Sequence, residues 1–423
     1  MHIGFVTSES PYSAAPGGGI AAYLRAVIPA YLDAGHRVSL FAGADKQEEF
    51  RAEDNRVEVH HFRLPAAHWY ASKVPLLRGI ITLPLRQLEW SASFYRRIAR
   101  LAAGKRIDVL ESTEAGGLFL HRIAPLVIRL HGSEYVFRKH TGLPLDLGVH
   151  WNDSLEARTA AHSVAITTPS QSQANEISKH RGWSANRIHV IPNPISISML
   201  SAALKFSRSS GSPEPRQSSD LANAGGTSAV TEPLVLYTGR LAPVKGIETL
   251  LEAARLVHNR NRKVTFILAG PWQMPQSPAT YGIELNHKSV NGVQWIGPQH
   301  QEQLIDWYQR GSLFVMPSFY ESFGISVVEA MAFGLPVVAS DSGALSEVIG
   351  NQGLLVPRGD PEALANGIID RLSWKNNDTR ATQAAIERFH PDRVAAETIK
   401  LYECVRSEVS ATRLLECGEL SPL

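Results

Sequence analysis

Short apolar runs, each closed by a turn and followed by a stretch with helical spacing, recur along most of this 423-residue chain. The first series is Ile3–Thr7, Val38–Ala42, Val57–Phe62, Asp108–Glu111, Leu126–Leu130, Val164–Thr168 and Ile188–Ile191. A strand covered by helices on both faces has no solvent side to fill with polar residues. Continuous apolar runs alternating with helices therefore predict parallel sheets in an α/β fold. The rhythm stops at 205–232, where Ser, Gly, Pro and Ala dominate and almost no large apolar residue is available for a core. It restarts at Leu234–Tyr237 and continues through Val264–Ala269, Val293–Ile296, Leu313–Met316 and Pro336–Ala339, with helices signalled at Gly246–His258 and Gln301–Gln309. The expected organisation is an α/β domain over 1–204, a linker or insertion over 205–232, and a second α/β domain over 233–390. Residues 391–423 are expected to form a helix and tail packing back toward the first domain. Parallel sheets bind ligands outside the carboxyl ends of their strands, so the site is expected in a cleft between the domains.

The balance of charge excludes one class of partner. With 42 Lys+Arg against 40 Asp+Glu, the net charge of +2 provides no global field for nucleic acid. Cys404 and Cys417 are the two cysteines, too few for a disulfide framework or a cysteine metal site. The opening His2-Ile3-Gly4-Phe5-Val6 lacks a basic region and a long apolar region, and no run approaches the ~18 apolar residues of a membrane span. The expectation is a cytoplasmic protein, either free or held at the inner face of a membrane.

Three segments carry chemistry. Gly17-Gly18-Gly19 lies between the first strand and the helical run Ile20–Leu32. Glycines there let backbone N–H groups approach an anion at a helix N-terminus, and they serve equally in a tight turn. In Tyr237-Thr238-Gly239-Arg240-Leu241-Ala242-Pro243-Val244-Lys245-Gly246, Arg240 and Lys245 flank a turn that leads into a helix. That pair suits a phosphate ester or forms an ordinary solvated pair of cations. The third segment, PSFYESFGISVVEAMAFGLPVVAS, puts Glu321 in a loop after a strand and Glu329 about one turn into the next helix. Two carboxylates and a helix N-terminus aimed at one volume suit a ligand with hydroxyls at both ends and phosphate between. Taken singly, Glu321 reads as a capping carboxylate, Glu329 as an exposed helix residue, and His131 as a turn histidine.

Glu321 and Glu329, with seven residues between them in that segment, resemble the E-x7-E signature of family 4 retaining glycosyltransferases of the GT-B fold. GRLAPVKG at 239–246, PGGGIAAYL at 16–24, RLHGSEY at 129–135 and IPNP at 191–194 are similar to further motifs of that family, in order along most of residues 1–400. The resemblance implies two Rossmann-like domains and a retaining, hexosyl-transferring enzyme of polysaccharide or glycoconjugate biosynthesis. Its donor would be a UDP-, GDP- or ADP-linked sugar, and its acceptor a saccharide or lipid-linked hydroxyl. It also implies Glu329 on the donor ribose, Arg240 and Lys245 on the diphosphate, and Glu321 with the Phe323-Gly324-Ile325 backbone on the donor sugar. His131 would stand near the sugar and β-phosphate, and Gly18 and Gly19 near the diphosphate and acceptor. Two departures accompany the match. Asn193 is followed by Pro194-Ile195-Ser196 rather than Gly, an aliphatic residue and Asp, and Ala269-Gly270-Pro271-Trp272 lacks a second glycine.

None of the 13 aspartates forms an Asp-x-Asp pair, so transfer without a metal and without a resident cofactor is expected. Competing readings are a non-catalytic nucleotide-sugar-binding subunit and a GT-B-like sugar epimerase. Residues 60–106 hold nine Lys/Arg against one acid, Glu89, with Trp69, Tyr70, Trp90, Phe94 and Tyr95 interleaved. This stretch suits peripheral attachment to anionic lipid, an acidic polysaccharide acceptor, or a helical hairpin with aromatics in the core and arginines in solvent.

Overall fold

The computed structural model describes the chain apart from residues 14–17, 45–46, 104–105, 185–186, 210–231, 261–262, 289–290, 374–378 and 419–423. Gly17, Lys105, most of the expected linker and the last residues of the expected tail therefore lie outside the described residues. The chain divides into two compact units, Met1–Ser196 with Pro391–Leu423, and Ile197–His390.

The first unit contains β1 (His2–Thr7), β2 (Arg37–Gly43), β3 (Glu48–Ala52), β4 (Val57–Phe62), β5 (Val109–Thr113), β6 (Leu126–Arg129), β7 (Ala165–Thr168) and β8 (Ile188–Val190). They lie in the order β3-β4-β2-β1-β5-β6-β7-β8. Every pairing is parallel except β3 with β4. All six residues of β1 are buried, which is what a strand covered on both faces requires. The edge strand β3 has no counterpart among the expected runs. Its sequence EEFRA is mostly charged and none of it is fully buried, so it carries no apolar signal.

The second unit contains β9 (Leu234–Thr238), β10 (Thr265–Ala269), β11 (Val293–Trp295), β12 (Leu313–Met316), β13 (Val337–Ser340) and β14 (Gly353–Val356). This sheet is wholly parallel, in the order β11-β10-β9-β12-β13-β14. Both sheets thus have the doubly wound order of a Rossmann fold, reversing direction between β1 and β5 and between β9 and β12.

Two expected boundaries move. The helix Ile197–Ser209 belongs to the second unit, so the first unit's leading segment ends at Ser196 rather than 204, and 205–209 are helical rather than linker. Packing is the reason: Met199 and Ala203 are buried, and the Phe206 ring lies 6.3 Å from that of Phe333. The helix Pro391–Gly418 returns to the first unit, where the Tyr402 hydroxyl donates to Glu111 Oε2 at 2.6 Å. Among the described residues, no helix is long and apolar enough to cross a membrane.

Candidate functional site

In the second unit the expected residues gather at the carboxyl ends of β9 and β12, the two strands at which the sheet reverses. After β9 the chain turns through Gly239 and Arg240 into a short 3-10 turn, Pro243–Lys245, and then the helix Ile247–Asn259. Gly246 has φ +68°, and a Cβ built there would lie 1.9 Å from the Pro317 carbonyl oxygen. Glycine is what lets the β9 turn lie against the β12 loop, a contact closed by the Phe319 N–H donating to the Val244 carbonyl at 2.8 Å. Across it Lys245 Nζ donates to Glu321 Oε1 at 2.6 Å, and Ser318 Oγ donates to the same oxygen at 2.8 Å. Arg240, on the other side of the turn, is exposed and engages no side-chain partner among the described residues.

Glu321 and Glu329 are both buried, so Glu329 is not the exposed helix residue that its position alone suggested. The Glu321 backbone is fixed by the loop after β13. Its carbonyl accepts the Ala344 N–H at 2.9 Å, and a Cβ on Gly343 would lie 2.1 Å from that oxygen. Ser342 Oγ, with Ser340 Oγ beside it, donates to the Ser318 carbonyl, Ser342 at 2.7 Å. Glu329 Oε2 accepts the Tyr308 hydroxyl at 2.8 Å, which stands 2.7 Å from Thr238 Oγ1 at the end of β9. A tyrosine from the helix Gln301–Arg310 therefore joins the β9 terminus to the carboxylate expected on the donor ribose. Burial, with Glu329 alongside, raises the Tyr308 hydroxyl well above its usual pKa and keeps it a donor.

Phe323 is buried against the edge of Phe389, with ring centroids 5.6 Å apart, which anchors the loop before the helix Ile325–Ala332. The N-cap of that helix is Gly324, at φ +95°, and no side chain caps it. The Val327 N–H already donates to the Gly324 carbonyl at 3.0 Å, which leaves the Ile325 and Ser326 N–H groups and the positive end of the dipole available to an anion.

The first unit carries His131, Gly18 and Gly19. His131 and Gly132 follow β6, and their N–H groups both donate to the buried Glu114 carboxylate, at 3.1 and 2.8 Å. The His131 ring packs against Tyr23, and burial together with the Arg129 guanidinium lowers its imidazole to about 3. Arg129 is fully buried, 4.1 Å from the Tyr23 ring centroid, and donates to the Ile191 carbonyl and Asn193 Oδ1 at 2.9 Å each. Asn193 thus serves here as a partner of Arg129. The Gly18 N–H donates to Glu9 Oε2 at 3.0 Å, and a Cβ on Gly18 would lie 2.9 Å from both Glu9 carboxylate oxygens. Around Gly19 a Cβ would meet nothing within 4 Å.

Sequence reasoning passed over Glu9, Glu114, Ser318 and Tyr308. Ser318 and Glu114 lie within or beside segments already singled out. Tyr308 is reached only through tertiary packing and leaves no local signal.

Residues 17–198 match the family described as "Glycosyltransferase Family 4", and residues 232–373 match "Glycosyl transferases group 1". A D-inositol 3-phosphate glycosyltransferase of Nocardioides sp. is 32% identical over 194 residues, 42% of this chain and 42% of that protein. The chain thus matches less than half the length of that relative. An MMP alpha-(1->4)-mannosyltransferase of Mycolicibacterium hassiacum is 26% identical over 93% of this chain and 96% of its own length. Among solved structures, the sucrose-phosphate synthase of Thermosynechococcus elongatus superposes with a TM-score of 0.69 at 20% identity, covering 96% of this chain and 99% of that one. Anabaena HepE in complex with UDP-glucose gives a TM-score of 0.65 at 21% identity, covering 96% and 100%.

Proposed function

The chain belongs to the glycosyltransferases of family 4 and group 1 and has the GT-B fold, and on that premise we propose that it transfers a hexosyl group from a nucleotide-diphosphate sugar to a hydroxyl of a saccharide or lipid-linked acceptor. The observation that carries this reading is the β9/β12 switch point. There an exposed arginine, a lysine and an uncapped helix N-terminus surround one turn, with two buried carboxylates beside them. HepE binds UDP-glucose, and the two relatives are named for glycosyl and mannosyl transfer. These names support a nucleotide-sugar donor and a role in polysaccharide or glycoconjugate assembly.

In the proposed reaction the bond between the anomeric carbon and the diphosphate oxygen breaks as the acceptor oxygen bonds to that carbon. The bonding pair leaves with the nucleoside diphosphate. Arg240, Lys245 and the N–H groups after Gly324 stabilise the growing phosphate charge from fixed positions, which favours the transition state over the ground state. Such a cationic clamp does the work of a divalent ion, and we propose metal-independent transfer. Glu329, held by Tyr308, accepts from the ribose hydroxyls, and Glu321 from a sugar hydroxyl. Retention follows if the acceptor attacks from the face the diphosphate leaves and gives its proton to the departing phosphate oxygen.

Release of nucleoside diphosphate from a panel of UDP-, GDP- and ADP-sugars, with and without saccharide acceptors and with EDTA, tests the proposal. Acceptor-stimulated release that survives EDTA and collapses in Glu329→Ala and Arg240→Ala is expected. Absence of turnover across the panel, or sugar interconversion without acceptor, overturns it.

A further inference from the structure

The largest exposed apolar side chains are concentrated in one part of the first unit. Trp69 and Tyr70 stand on the short helix Ala67–Ser72, Val74 caps the start of the next, Pro75–Arg78, and Ile80 stands in the turn after it. Tyr70 is 70% exposed. Leu143, Leu145, Leu147 and Trp151 stand on a second segment, which runs into the helix Leu147–Ala161, and Leu147 is likewise 70% exposed. Among the described residues, Val164 and Leu285 complete the set of exposed large apolar side chains.

The two segments adjoin. The Gly148 N–H donates to the Gly79 carbonyl at 2.9 Å, and a Cβ on Gly148 would lie 2.8 Å from that oxygen and 2.9 Å from that of Ile80. The apolar tips therefore form one surface rather than scattered positions, and such concentration marks an interaction site.

Two cations on it are uncommitted. Lys73 and Arg78 are exposed, and neither reaches an acid among the described residues; Lys73 lies 4.6 Å from the Trp69 ring centroid. The nearby acids are already satisfied: Glu89 by His68, Glu134 and Asp146 by Arg138, and Asp153 by His180 and Arg181. A second copy of the chain, meeting this surface with the same surface, would offer Lys73 and Arg78 no uncommitted acid. Aromatic and aliphatic tips flanked by unpaired cations instead fit the boundary of an anionic bilayer, where rings enter the headgroup level and cations meet phosphate. The long helix Thr82–Ala102 behind this surface has Phe94 in the core, so the contact is carried by residues 69–80 and 143–151 and not by the whole of 60–106.

We infer that the surface built from residues 69–80 and 143–151 docks the protein on an anionic lipid membrane. Binding is read without donor or acceptor, so it stands or falls apart from the transferase reading. The full chain is sedimented with vesicles of 30% phosphatidylglycerol in phosphatidylcholine and with pure phosphatidylcholine vesicles, at 0.1 and 0.5 M NaCl. The expected result is binding to the anionic vesicles that weakens at high salt. At roughly fivefold per cation, Lys73→Gln/Arg78→Gln weakens it about 25-fold. Trp69→Ser/Leu147→Ser weakens it at least ~10-fold with unchanged circular dichroism and melting, because these side chains are exposed. The inference is overturned if wild type ignores anionic vesicles, if either pair binds like wild type, or if the apolar pair instead converts a dimer to a monomer in light scattering.

Discussion

Replacing Lys245 by Met removes the ammonium that stands 2.6 Å from Glu321 Oε1 and leaves a buried carboxylate with the Ser318 hydroxyl as its remaining donor at that oxygen. Removing one partner of a buried ion pair costs about 3–5 kcal/mol. Lys245 keeps 18% of its side-chain surface open and Ser318 still donates, so about 2–3 kcal/mol is expected here. For a unit of this size that lowers Tm by roughly 4–12 °C. Arg240→Ala removes an exposed guanidinium with no side-chain partner to strand, and it should change stability by less than about 0.5 kcal/mol. If the proposed reaction holds, both variants lose a charge-assisted contact to phosphate, so each should weaken nucleoside diphosphate binding by about 10- to 100-fold. The double change Lys245→Met/Glu321→Gln removes the stranded charge and should recover most of the lost stability without recovering affinity. Scanning calorimetry and titration with UDP, GDP and ADP read the two quantities separately. The reasoning fails if Lys245→Met melts like wild type, if Arg240→Ala is equally destabilising, or if the double variant stays as unstable as the single one.

Tyr308→Phe keeps the ring stacked on Phe333 but strips Glu329 of a buried donor and Thr238 of an acceptor, costing about 1–3 kcal/mol. Steady-state kinetics should show a raised donor KM with little change in kcat, and an unchanged KM would remove Tyr308 from the donor site. For His131 the folded pKa of about 3 lies below the unfolded ~6.5. The folded state therefore binds fewer protons, and this contribution to stability is lost as pH falls from 6.5 toward 3. In NMR titration the ring resonance absent from His131→Gln should stay neutral from pH 8 to 5, and a midpoint above 6 would contradict the burial argument.

The parallel sheets were legible because a strand covered on both faces shows itself as an apolar run: β4 and β12 fall on the expected residues. The strand β3 was illegible because it is an exposed, charged edge. Residues 197–204 read with the first domain and 205–209 as linker, whereas they form one helix of the second unit; a sequence pattern does not say on which unit such a segment packs. At the site, turn chemistry was readable where glycine meets cations or carboxylates at fixed spacing, as at Lys245-Gly246 and Glu321 to Gly324. What the sequence withheld was the second layer. Tyr308 reaches Glu329 from 21 residues away, and Glu114 reaches the His131 turn from another strand. Such pairs exist only once the sheet order has set which strand ends are neighbours.

The two switch points share a topology but differ in what their helix N-termini offer. In the first unit the Glu9 carboxylate already accepts from the Gly18 N–H, with the Ala21 N–H 3.4 Å away, at the start of the helix Gly19–Asp33. A phosphate arriving there competes with a tethered carboxylate for the same donors and the same dipole, so every hydrogen bond it forms displaces one that Glu9 already makes. Midway along the central strand β5, Glu111 is held by Tyr23 and Tyr402, and burial raises its carboxyl pKa. These two carboxylates of the first unit are thus already engaged. In the second unit the helix after Gly324 has no side-chain cap and Arg240 has no acid beside it among the described residues, so a diphosphate would meet these donors without displacing a side chain from them and would share only Lys245, with Glu321. That difference in uncommitted donors, rather than the number of glycines in either loop, is the physical reason to assign the donor diphosphate to the second unit in the proposed reaction.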